Sequence, residues 1–129
     1  MNFSLPLAYW CVLFAATLPY VAAYIAKAGA FGAKDNEQPR EWSRGLSGWR
    51  ARANAAQANG FEGLPFFIGA VIIAHQLGAA QGTIDLLAAC YLGLRMAYLA
   101  FYLAGIGWAR SAVWALAFLV NVALLFAGR

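Results

Sequence analysis

From Leu5 to Ala26 the chain carries no charged side chain, the first charge being Lys27, and a helix needs roughly 20 such residues to cross a hydrocarbon core. Backbone in lipid must satisfy its own hydrogen bonds, so this run has to be helical. Further membrane-length, mostly apolar segments follow at about 46–76, 84–103 and 110–128, separated by a polar connection over about 28–48 and two short turns. The expectation is an all-α membrane protein, a single 1–129 domain folded as a four-transmembrane-helix bundle. With 64% hydrophobic and 11% charged residues, the 129-residue chain is too apolar for a soluble domain of its size. The first run also lacks a basic n-region and exceeds a usual h-region, so it reads as an uncleaved helix.

The net charge of +4 reflects topology. Lys27, Lys34, Arg40, Arg44, Arg50, Arg52 and Arg110 all fall on one side of the expected membrane, and only Arg129 on the other. Basic residues in short loops stay cytoplasmic, which predicts a cytoplasmic long loop with both termini outside. These cations are not interleaved with aromatics as on a nucleic-acid surface, so no nucleic-acid partner is expected. Cys11 and Cys90 lie inside apolar runs without metal or disulfide spacing, where a thiol acts as a small hydrophobe. His75 reads as an interfacial polar residue, and no metal site is expected.

Glu62 is harder to explain, because a charge at a membrane-helix centre costs roughly 2.5–3.5 kcal/mol on insertion scales and calls for a partner, water or a ligand. Arg95, in the next span, is the expected partner. Arg52, Asn59, Glu62 and Phe66 fall on one stripe of the second helix, and Arg95, Tyr98 and Tyr102 on one stripe of the third. Two such stripes avoid lipid by facing each other or a wet cavity. An ion pair with filler aromatics accounts for part of this pattern. The surplus of donors, with Arg110 arriving on the same side, points to a small zwitterionic ligand. Pro19 and Pro65 are expected to bend or interrupt their helices by removing a ladder bond.

The segments AQANGFEGLPFF, YLGLRMAYLAFY and ARS resemble the MAPEG superfamily, the membrane-associated proteins in eicosanoid and glutathione metabolism. Gln57, Asn59, Glu62, Pro65 and Phe66 match its second-helix signature, and Arg95, Tyr98 and Tyr102 its third-helix arginine and aromatic positions. Arg110 and Ser111 match the pair that opens the fourth helix in the prostaglandin synthase branch. Segments such as DNEQPR look most like small bacterial members, which implies a bacterial inner membrane.

That resemblance implies a homotrimer with glutathione, as co-substrate, bound between neighbouring subunits near the cytoplasmic face. It implies a transferase or peroxidase, set among membrane lipids, acting on lipophilic small-molecule electrophiles that reach the site from the bilayer. Arg110 and Ser111 would be catalytic, while Gln57, Asn59, Glu62, Arg95, Tyr98 and Tyr102 would bind glutathione. Several relatives carry arginines where this chain has Ala55 and Ala58, which leaves Arg52 or Lys27 as substitutes for carboxylate binding. The alternative is a non-catalytic membrane binding protein of the same fold, holding a lipid or another small ligand. A proton-coupled transporter built on Glu62 is disfavoured by Arg95, which would repel cationic substrates.

Overall fold

The computed structural model describes residues 4–129, so the first three residues of the expected 1–129 domain lie outside the described residues. Among the described residues the elements are α1 (Leu7–Lys27), a 3-10 turn (Asp35–Glu37), α2 (Pro39–Arg44), α3 (Gly48–Gln76), α4 (Gln81–Ala104) and α5 (Gly107–Phe126). The architecture is all-α, and α1, α3, α4 and α5 are each long and apolar enough to cross a membrane. α1 packs mainly on α3 and α4 mainly on α5, with α3 also touching α4 and α5.

Two sequence expectations change in detail, and one side chain is used across the bundle. The connection after α1 is not wholly irregular, because Pro39 at the first turn of α2 pre-sets helical geometry and lacks the N–H that would be orphaned there. Pro65 does not interrupt its helix, and α3 runs on through it to Gln76. Asp85, in the second turn of α4, serves a different helix. Its Oδ1 accepts from the Ala8 backbone N–H at 2.9 Å and from Gln81 Nε2 at 2.8 Å, so it caps the start of α1.

The seam between α1 and α3 is built from small side chains. Ala8, Cys11, Ala15, Pro19, Ala22 and Ala26 are buried along one stripe of α1, and Ala53, Ala56, Ala70 and Ala74 are buried on α3. Helices in lipid gain little from hiding apolar surface from each other, so close approach and van der Waals contact must hold them. Gly60 marks the tightest point: a Cβ there would stand 2.8 Å from Pro19 Cγ. Nearer the middle, Phe67 is fully buried and stacks on Tyr91 with ring centroids 3.9 Å apart.

Both ends of the bundle are tied by polar groups. At the end away from the long loop, His75 contacts the Val71 carbonyl at 2.8 Å and Gln81 Oε1 at 3.0 Å, and Gln81 passes on to Asp85. At the loop end, Arg50 Nη1 donates to the Ala26 and Ala28 carbonyls at 2.9 and 2.7 Å. Arg52 donates from Nε and Nη2 to the Leu103 carbonyl at 3.2 and 3.1 Å. Two cations thus satisfy the orphan carbonyls at the C-termini of α1 and α4.

Candidate functional site

The face of α3 opposite the α1 seam carries Asn59, Glu62 and Phe66, and looks toward α4 and α5. α4 contributes Tyr91, Arg95, Tyr98 and Tyr102, spaced four, three and four apart on one face. α5 starts beside them with Arg110 and Ser111. Two adjoining hollows result, separated by Asn59 and Trp114, which border both.

The hollow nearer the loop end has a volume of about 270 Å³ and is walled by Asn59, Tyr98, Tyr102, Arg110, Ser111 and Trp114. Five of the residues singled out by sequence therefore meet there. The Arg110 guanidinium carbon lies 4.5 Å from the centre of the Tyr102 ring, and Tyr102 meets Tyr98 edge-to-face at 5.5 Å. Aromatic faces attract cations, so Tyr102 holds Arg110 in place without neutralising it. No carboxylate pairs with Arg110 among the described residues, which leaves its donors available to an anion.

The deeper hollow is about 190 Å³ and takes Glu62 and Arg95 from the sequence-derived set, together with Asn59. Arg95 is 7% exposed, donates from Nη2 to Asn59 Oδ1 at 2.9 Å, and lies with its guanidinium carbon 4.1 Å from the centre of the Tyr98 ring. The expected Glu62–Arg95 ion pair does not form among the described residues. Asn59, one turn before Glu62 on α3, takes the Arg95 hydrogen bond instead, while Glu62 stands exposed on the rim. Arg95, Tyr98, Tyr102 and Arg110 form one continuous row, two rings held between two cations.

Arg52 and Gln57 border neither hollow. Arg52 lies on the expected stripe but two turns nearer the loop end than Asn59, where α4 has ended and the Leu103 carbonyl engages it. Lys27, the other substitute for the missing arginines, sits 4.5 Å from the centre of the Phe31 ring. Neither of these two cations enters the Arg110 hollow.

Sequence reasoning passed over Tyr91, Trp114, Phe118 and Asn121, all of which border the deeper hollow. Asn121 is 3% exposed, and its Oδ1 has no hydrogen-bond partner among the described residues. The available signal was a lone carboxamide in the otherwise apolar last span.

With this geometry in hand, the comparisons narrow the reading. The MAPEG family model matches residues 7–128, nearly the entire chain. No curated protein and no solved structure gives a significant match.

Proposed function

The chain belongs to the MAPEG family of integral, multi-pass membrane proteins, and from that premise we propose a glutathione-dependent transferase or peroxidase acting on lipophilic electrophiles. Family membership supports a glutathione- or eicosanoid-related role in general. The finer reading rests on one observation: a carboxylate-free Arg110 beside Ser111, in a hollow shared with Asn59, Tyr98 and Tyr102.

The donor set there fits the ligand. A guanidinium, a hydroxyl, two phenols and a carboxamide complement an anionic sulfur and neighbouring peptide groups. Glutathione supplies the nucleophilic thiol. With an ordinary thiol pKa near 8.5, only roughly a few per cent is thiolate at neutral pH, and a nearby cation raises that fraction. The part of the Arg110 guanidinium is to hold negative charge, since it offers donors and no acceptor. Ser111 donates a hydrogen bond to the same centre, and Tyr98 and Tyr102 fix the wall behind it.

Glutathione also carries two carboxylates, and among the described residues of one protomer Arg110 is the one guanidinium lining this hollow. Cations from a neighbouring protomer would complete the set, which supports the homotrimer as the working assembly. The basic residues gathered at this end support a cytoplasmic long loop, with both termini outside.

A second reading draws on the placement of Arg52 and Lys27. Because both are engaged elsewhere, a holder of a less anionic ligand needs fewer cations than glutathione does. Calorimetric titration with glutathione, paired with ultraviolet thiolate absorbance near neutral pH, separates the two. The transferase reading expects saturable binding and a thiolate signal that Arg110→Ala abolishes. Turnover should fall roughly 100- to 1000-fold in that variant, as when one charge-stabilising donor is removed. Absence of binding at millimolar glutathione would sink it in favour of the holder.

A further inference from the structure

The deeper hollow holds groups that the thiol site does not use. Asn121 stands eleven residues beyond Arg110, about 16 Å along the helix axis, which brings it near the middle of a roughly 30 Å hydrocarbon core. At that depth a carboxamide should find a partner, yet its Oδ1 has none, though the residue is 97% buried. Arg95 spends one N–H on Asn59 and forms no other hydrogen bond among the described residues. The Tyr91 hydroxyl reaches the Gly63 carbonyl only at 3.5 Å, a long contact for an O–H donor. One chamber thus gathers an unsatisfied acceptor and unspent guanidinium donors.

Its mouth is apolar. Trp114 and Phe118 stack with centroids 5.8 Å apart, Phe66 meets Phe118 edge-to-face, and Trp114 and Phe118 are 44% and 45% exposed on the outer surface of the bundle. A molecule entering here comes from the lipid phase with its polar end leading.

We propose that this chamber is a binding site for a neutral, hydroxyl-bearing amphiphile, with the hydroxyl hydrogen-bonded between Asn121 and Arg95 and the hydrocarbon body against Trp114 and Phe118. A hydroxyl both donates to the carboxamide oxygen and accepts from the guanidinium, so a single small group answers both walls. Neutrality follows from depth, since carrying a charge to mid-membrane is costly and the chamber already holds one cation and one carboxylate. The inference does not rest on the thiol chemistry at Arg110. Failure of glutathione binding would leave it standing, and its own failure would leave the Arg110 reading intact.

Fluorescence quenching of the purified full chain tests it, using 11-bromo-1-undecanol and 1-bromoundecane in a detergent whose head group bears no hydroxyl. Saturable quenching by the bromoalcohol is expected, with affinity about three- to tenfold above the bromoalkane, the scale of one net hydrogen bond. Trp114→Phe should remove the quenched component, which locates the ligand at the mouth. In Asn121→Leu the alcohol preference should disappear. Equal affinity for the two probes would show that the chamber does not recognise the hydroxyl and overturn the proposal. So would a preference that survives Asn121→Leu, quenching that persists in Trp114→Phe, or tighter binding of 11-bromoundecanoate. The wild-type and Trp114→Phe results decide the matter even if Asn121→Leu fails to fold.

Discussion

The two faces of α3 solve opposite problems with neighbouring residues. Toward α1, Ala53, Ala56 and Gly60 let the backbones approach until Pro19 occupies the space where a Gly60 side chain would stand. Toward α4 and α5, the same helix carries Asn59, Glu62 and Phe66 and leaves two hollows open. Small residues close a seam in lipid because contact there is the main attraction available. Polar and bulky residues hold the other seam apart and keep room for a ligand. One helix therefore serves as a structural spine on one side and as the wall of a site on the other.

The strongest way to break this division is to remove what anchors it. Phe67 is fully buried and stacks on Tyr91, joining α3 to α4 beside the deeper hollow. Phe67→Ala should destabilise the protein by about 3–5 kcal/mol, through lost contact and the cavity left behind. Thermal unfolding in detergent measures it, and a loss under 1 kcal/mol would mean that the bundle is not held at this layer.

A matched pair of glycines sharpens the contrast further. Gly60→Ala puts a methyl 2.8 Å from the Pro19 ring, which cannot swing aside, so overpacking should cost about 1–3 kcal/mol. Three residues on, a Gly63 side chain would meet only the Tyr91 hydroxyl at an ordinary 3.5 Å. Gly63→Ala should be neutral or stabilise by up to about 1 kcal/mol through the higher helix propensity of alanine. Equal effects at the two positions would erase the distinction between the faces.

Arg52 probes the boundary between structure and site. As a cap on α4 it makes two hydrogen bonds to the Leu103 carbonyl, and Arg52→Met should cost about 1–2 kcal/mol of stability. Glutathione affinity should change less than twofold, because the side chain points at a helix end and not into the Arg110 hollow. A larger drop in affinity at unchanged stability would return Arg52 to the ligand set.

Much of this was legible in the residues themselves. Uncharged runs announce membrane helices because lipid admits little else, and the Asn59, Tyr98, Tyr102, Arg110 and Ser111 cluster follows from helical spacing joined to a family resemblance. The choice of partners was not legible. Charge complementarity favours Glu62 for Arg95, but which oxygen arrives first depends on helix rotation, and the rotation brings Asn59. Asp85 capping α1, 77 residues earlier, is likewise a product of tertiary packing that local helix rules do not contain. Asn121 escaped notice because an uncharged amide interrupts hydropathy far less than an ion does, although at its depth an unpaired carboxamide is informative.

Asn121, like Gly63, gives a small expected stability effect, and its sign carries the information. A buried amide oxygen with no partner loses its hydration on folding and recovers nothing. Replacement by an apolar side chain of similar reach removes that penalty, so Asn121→Leu should leave stability unchanged or raise it by up to about 1 kcal/mol without ligand. Substitutions in the closed seam, such as Gly60→Ala, have no such penalty to relieve and should all go the other way. If Asn121→Leu instead costs more than about 2 kcal/mol, the carboxamide was satisfied by ordered water or by Tyr91, and the open face of α3 is a polar structural joint. A rise in melting temperature would mark it as a position whose residue is retained at the expense of stability, which is what a binding function requires.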